Sequence, residues 1–155
     1  MIKQKNISPV LMWLIIAAGV TLIFFILPKT PLLGTEQFFS WLILPAAFYW
    51  LYFFIGAIGV HNQAAKSVAG IDKIIKEGVY NIVRHPIYSA DIVLAWGIFF
   101  FMGNLRFLLG AIWLSLAMFC WMRLEEKGLI EKFGQEYLDY KKEVPMICPK
   151  FKFRS

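Results

Sequence analysis

Charge is scarce in this sequence. Only 17% of the residues are Asp, Glu, Lys or Arg, against roughly 25% in soluble domains, and none falls in segments 10–27 or 38–60. Reactive sulfur and imidazole are scarcer still, with two cysteines and two histidines. Cys120 lies in an apolar run and Cys148 in a basic tail, so no structural disulfide is expected. Two histidines without helical His spacing, and without a Cys pair, give no metal site. There is no P-loop and no strand-linked glycine fingerprint for a nucleotide. Neither Ser67 nor Ser89 sits in a nucleophile elbow, and no internal repeat or low-complexity stretch occurs.

What is plentiful is apolar surface. Hydrophobic residues make up 59% of the 155 and the mean hydropathy is +0.63, well beyond the roughly 45–50% apolar content of soluble folds. The excess gathers in four runs, 10–27, 38–60, 87–102 and 105–122. A bilayer span takes about 20 residues. At about 1.5 Å per residue the third run reaches roughly 24 Å, short of a hydrocarbon core of about 30 Å. Gly103-Asn104 separates runs three and four, which predicts a tight helical hairpin. The expected fold is all-α: one polytopic membrane domain, 1–155, with four transmembrane helices and an amphipathic C-terminal helix.

Basic residues number two before the first run, one after it, four in the middle loop, one in the hairpin and eight in the tail. Short cytoplasmic loops carry such excesses, so both termini, loop 61–86 and tail 123–155 are expected on the cytoplasmic side. The first run is too long for a signal-peptide core and is read as a retained span. The minimal span count suggests a bacterial or archaeal inner membrane. A net charge of +6 spread beside spans fits anionic lipid headgroups rather than nucleic acid. Oligomeric state is not legible.

Pro45 falls one third of the way into run two and predicts a packing kink. Beyond run four, Leu129, Phe133, Tyr137 and Tyr140 recur at helical spacing. They predict one apolar stripe that lies on the membrane surface or folds over a site made by the middle loop. Arg84 and His85 precede run three, and Glu125 and Glu126 follow run four, so the hairpin brings cations and carboxylates to one mouth. Such a mouth suits a zwitterionic cofactor. Interfacial anchoring by Arg, His and Tyr, with Glu-Glu-Lys as a solvated helix face, stands beside that reading. Asp91, a carboxylate in an apolar run, is expected either in the pocket or in a salt bridge to Arg84 or Arg123.

The stretch Gly78-Val79-Tyr80-Asn81-Ile82-Val83-Arg84-His85-Pro86-Ile87-Tyr88 resembles a signature of the isoprenylcysteine carboxyl methyltransferase family and its phospholipid methyltransferase relatives. The tail from Glu125-Glu126 through Phe133-Gly134-Gln135-Glu136-Tyr137 to Val144-Pro145 and Pro149 is similar to that family's C-terminal signature. The likeness implies S-adenosyl-L-methionine in a cytoplasmic pocket closed by the tail, with a lipophilic substrate arriving from the bilayer. It implies that Tyr80, His85, Pro86 and Tyr88, with Glu125 or Glu126, bind the cofactor. Arg84 and Arg123 are the candidates for gripping an anionic acceptor, with Glu126 as the third catalytic candidate.

A carboxylate acceptor is already ionised at neutral pH and needs orientation rather than a base. The expected reaction is therefore carboxyl O-methylation of a prenylcysteine-like acid. Ala95-Trp96-Gly97 lacks the first glycine of the phospholipid enzymes' Gly-x-Gly, which puts phospholipid N-methylation second. An amine would have to give its proton to His85, Asp91 or a glutamate. A nicotinamide-dependent membrane sterol reductase shares an Arg-His-Pro-x-Tyr-like loop but typically has Asn where this chain has Ile87. A non-catalytic lipid-binding membrane protein is the remaining alternative.

Overall fold

The computed structural model describes residues 9–32, 39–60 and 71–149. Among the described residues the regular structure is helical, apart from one bridge pair, Pro31 with Asn104. Helix α1 covers Pro9–Ile26, α2 Ile43–Val60, α3 Pro86–Met102, α4 Leu105–Phe133 and α5 Gln135–Glu143, with short 3₁₀ turns at Ser40–Leu42 and Gly78–Asn81. Three segments are long and apolar enough to cross a membrane: Pro9–Ile26, Ser40–Val60 and Leu105–Phe133. The fourth apolar helix, α3, has 17 residues, so the shortness expected of run three is real. Loop residues 61–70 and the chain ends lie outside the described residues.

The expected hairpin is present, with identifiable chemistry. Gly103 ends α3 in the left-handed region, φ 60°, and its N–H bonds Phe99 O; a side chain there would be strained. Asn104 then caps α4 by accepting the Arg106 N–H at 3.2 Å, a standard use of Asn before a helix.

Two expectations need correction. Pro45 does not kink a mid-helix. A 3₁₀ turn occupies Ser40–Leu42 and the α-helix begins at Ile43, so Pro45 falls in the first turn, where a missing N–H costs nothing. The amphipathic stripe does not occupy one separate helix either. Helix α4 runs 29 residues, past its apolar part 105–122, and breaks at Gly134, φ 56°, before α5. The stripe survives the break, because Tyr137, Tyr140 and Val144 pack with Leu129, Ile130, Phe133 and Ile74.

Helix α2 packs on α3, α3 on α4, and α4 on α1. Contact between α2 and α3 is close: a methyl at Gly97 would fall 2.5 Å from the Ala46 Cβ, the small-residue packing typical of membrane helices. Outward faces are apolar, with Phe25 85% exposed, which calls for lipid rather than water. At one end of the bundle, the Leu105 N–H bonds Thr30 O and the Leu32 N–H bonds Gly103 O. Arg106 Nε donates to Leu27 O at 2.7 Å while its guanidinium lies over Phe24. The start of α1, the end of α2, the start of α3 and the extension of α4 meet at the other end, where a cavity opens.

Candidate functional site

The extension of α4 presents two neighbouring carboxylates in different directions, because successive helical residues are about 100° apart. Glu125 turns to the cavity and Glu126 to the loop and tail. Both lie beyond the apolar part of α4.

Glu126 is 1% exposed. Its Oε1 accepts Arg84 Nε at 2.8 Å and Nη2 at 2.6 Å, and its Oε2 accepts Lys141 Nζ at 2.7 Å. Burial pushes its carboxyl upward, but the neighbouring His85, Lys141 and Arg84 outweigh this and hold it at about 2. The same guanidinium donates through Nη1 to Lys141 O and Val144 O. The Arg84 N–H bonds Pro145 O and the His85 N–H bonds Met146 O, while Ser89 Oγ donates to Ile147 O and Tyr140 OH to Tyr80 O. Segment 140–147 is thereby strapped across loop 80–89, so of the two placements expected for the amphipathic tail, this one folds over the loop.

Glu125 lives in a different setting. Its Oε1 accepts Tyr88 OH at 2.8 Å and Trp121 Nε1 at 3.1 Å. Burial pushes this carboxyl up from its ordinary value, against the opposing pull of His85 and the two donors. Between the glutamates stands His85, 7% exposed, stacked on the Tyr88 ring at 5.6 Å. Its Nδ1 is 3.7 Å from Glu125 Oε2 and its Nε2 3.5 Å from Glu126 Oε1. This buried Nε2 has no hydrogen-bond partner among the described residues.

The cavity encloses about 460 Å³, within the roughly 300–1,000 Å³ of small-molecule sites. Tyr80, Arg84, His85, Pro86, Tyr88 and Glu125 form its polar wall, and Trp13, Phe54 and Ile58 belong to the apolar remainder. Tyr80 is pushed up to about 12, by burial first and by the Glu125 charge second; burial also raises Tyr137 and Tyr140.

Six of the eight residues expected at the site therefore line one cavity. Glu126 sits behind it, in the strap. Arg123 does not reach it: the side chain is exposed and its guanidinium lies 5.0 Å over the Phe119 ring, so it is not placed to grip an acceptor in the cavity. Arg84 lines the wall, but Glu126 and two tail carbonyls engage its donors, which leaves it a clamp rather than a free cation. Asp91 takes neither expected role. It accepts Trp50 Nε1 at 2.8 Å and pairs with neither arginine.

Nothing in the sequence marks Trp13 or Phe54, since nothing local ties α1 and α2 to the loop. Trp121 four residues before Glu125, and Lys141 in the tail, were readable only as ordinary helix residues.

A family model described as phospholipid methyltransferase matches residues 46–136. Methanethiol S-methyltransferase of Pseudomonas deceptionensis is 31% identical over 120 residues, 76% of this chain and 45% of that protein. Methanethiol S-methyltransferase 1 of Bradyrhizobium diazoefficiens is 40% identical over 72 residues, 46% of this chain and 24% of that protein. The Mycobacterium tuberculosis methanethiol S-methyltransferase is 35% identical over 72 residues, 46% of this chain and 28% of that protein. The chain thus spans less than half the length of each of these relatives.

Proposed function

The chain belongs to the phospholipid methyltransferase family, and from that premise we propose that it transfers a methyl group from S-adenosyl-L-methionine to the sulfur of a small or lipophilic thiol. The observation that carries this reading is the cavity wall: a carboxylate, an imidazole and four tyrosines together with apolar side chains, and an arginine already engaged.

The wall fits the cofactor's chemistry. A sulfonium and an ammonium are cations, for which Glu125 is the carboxylate at hand; Tyr80, Tyr88 and Pro86 offer flat apolar faces, and aromatic faces attract cations. When bound, the cofactor supplies an electrophilic methyl group. The protein's part is to align donor and acceptor and to exclude water. Trp13, Phe54 and Ile58 desolvate the acceptor, and the 140–147 strap covers the loop that bears His85.

A carboxylate acceptor would need a free cation, and Arg84 is engaged while Arg123 is elsewhere. A soft, uncharged thiol needs none. The names of the curated relatives point the same way. Carboxyl O-methylation of a prenylcysteine-like acid is the second reading, resting on exposed Lys73 at the cavity wall. The same proposal places the cavity end, and with it both termini, in the cytoplasm of a prokaryotic inner membrane, on the alternation of basic residues.

The test is labelled methyl transfer by purified protein in detergent, with short alkanethiols, a prenylcysteine and phosphatidylethanolamine offered separately. Label on the thiol alone is the expected result. Label on the prenylcysteine carboxyl or the amine would replace the acceptor, and label on none would sink the enzyme reading.

A further inference from the structure

S-methylation leaves a proton to be placed. A cysteine thiol, with an ordinary pKa of about 8.5, is only a few per cent ionised at neutral pH and a simple alkanethiol is less acidic still, so the site gains by taking its proton as the sulfur attacks. This inference rests on the S-methylation reading above and concerns how the same cavity carries it out.

Among the described groups on the wall, Lys73 and Arg84 are cations and cannot accept a proton. Tyr80 is held protonated, with its hydroxyl pushed up to about 12. Tyr88 spends its hydroxyl proton on Glu125, Tyr140 spends its own on Tyr80 O, and burial keeps Tyr137 protonated. Glu125 Oε1 carries two donors, from Tyr88 and Trp121, and its Oε2 faces His85. His85 differs from all of these: Nε2 has no hydrogen-bond partner among the described residues, and Nδ1 stands 3.7 Å from Glu125 Oε2, beyond hydrogen-bond reach. An unbonded nitrogen in so enclosed a place is unusual and asks for an explanation.

We propose that His85 is the general base of the transfer, accepting the thiol proton at Nδ1, with Glu126 as the positioning residue that holds the Nε2–H tautomer. The geometry divides the ring in this way. Nε2 faces Glu126 Oε1 at 3.5 Å, a carboxylate kept charged and immobile by Arg84 and Lys141. A ring nitrogen beside a fixed anion is the one that carries hydrogen, as in carboxylate-oriented imidazoles generally. That leaves the lone pair on Nδ1, on the side of Glu125, where both residues line the cavity. The Tyr88 ring stacked on the imidazole, and the His85 N–H bonded to Met146 O, fix its orientation.

In the step, the thiol S–H bond breaks and its proton passes to Nδ1. The sulfur electron pair forms the new bond to the methyl carbon, and the old carbon–sulfonium bond breaks with its pair going to the departing sulfur. Two neutral thioethers and an imidazolium flanked by two carboxylates remain; the imidazolium then releases its proton to water.

The test compares an alkanethiol with the corresponding selenol, which is ionised at neutral pH and needs no base. In His85→Gln the thiol rate should fall about hundredfold, and the selenol rate by less than tenfold. Glu125→Gln is the control, and it should slow both acceptors in parallel. Equal loss of both rates in His85→Gln, with S-adenosylhomocysteine binding lost as well, would make His85 a cofactor contact and overturn the proposal. Should His85→Gln fail to fold, the wild-type protein decides. With a base in place, a series of thiols at pH 7 is methylated at rates within about tenfold of one another. Without one, the rate follows the thiolate fraction offset by thiolate nucleophilicity, about three- to fourfold for each unit of thiol pKa, so a series spanning about three units spreads well beyond tenfold and the proposal fails. Wild-type protein that methylates neither thiol nor selenol would instead refute the S-methylation reading itself.

Discussion

Each end of the helical bundle has an arginine that reaches backbone carbonyls, and the two arginines are used differently. Arg106 bonds Leu27 O, lies over Phe24 and meets no carboxylate among the described residues; the chain there closes on itself through the Pro31 and Asn104 pairing. Arg84 bonds Lys141 O and Val144 O and also the buried Glu126. One end is sealed by direct contacts between backbone segments 27–32 and 103–106. The other is sealed by a strap 60 residues away in sequence, between Tyr80 and Tyr140, and behind that seal is a cavity. An end that must admit a ligand cannot fill its own centre, so its stability has to come from around the rim.

The comparison breaks most visibly at Arg84. Arg84→Met leaves Glu126 buried with Lys141 as its remaining charge partner, and loss of one member of a buried pair costs about 3–5 kcal/mol. Thermal unfolding in detergent should show a large fall in Tm. Arg106→Met removes a single charged hydrogen bond, worth about 1.5–3 kcal/mol at most, and should lower Tm by clearly less. Equal losses would erase the distinction between the two ends.

Glu125→Gln probes the cavity rather than the rim. It keeps the shape and the bonds from Tyr88 and Trp121 while removing the charge. S-adenosylhomocysteine affinity should drop roughly tenfold or more, by the worth of a charged hydrogen bond, with little change in Tm.

Acid separates the two ends in a third way. The Glu126 carboxyl is held at about 2, below its unfolded value of 4.5. Its contribution is therefore complete above pH 4.5 and is lost as pH falls toward 2. Unfolding followed from pH 6 to 3 should show this decline, and Glu126→Gln should flatten it. The smallest effect expected is at the hairpin. Gly103→Ala puts a side chain at φ 60° and should cost about 1 kcal/mol, read as a modest shift in Tm with cofactor binding intact.

Much of this is legible in the sequence. The four apolar runs gave the helices, and Gly103-Asn104 gave the hairpin, because both signals are local. Tyr80, Arg84, His85, Pro86, Tyr88 and Glu125 came from two motifs that a hairpin must bring together. What escaped depends on distance. Trp13 and Phe54 enter the cavity from helices whose apolar faces look the same all round, so no periodicity marks the residue that faces a ligand. Arg84 and Arg123 looked equivalent in sequence, as cations beside spans. Only packing shows that one is tied to Glu126 and the tail while the other rests outside on Phe119. Asp91 was misassigned for the same reason, since its partner Trp50 lies 41 residues away.

Calorimetry on the purified wild-type protein, titrated separately with S-adenosylhomocysteine and with NADPH, tests the central claim most directly. The expected result is one site for S-adenosylhomocysteine, weakened in Glu125→Gln, and no heat from NADPH. Binding of NADPH alone, or S-adenosylhomocysteine binding that ignores Glu125→Gln, would contradict it.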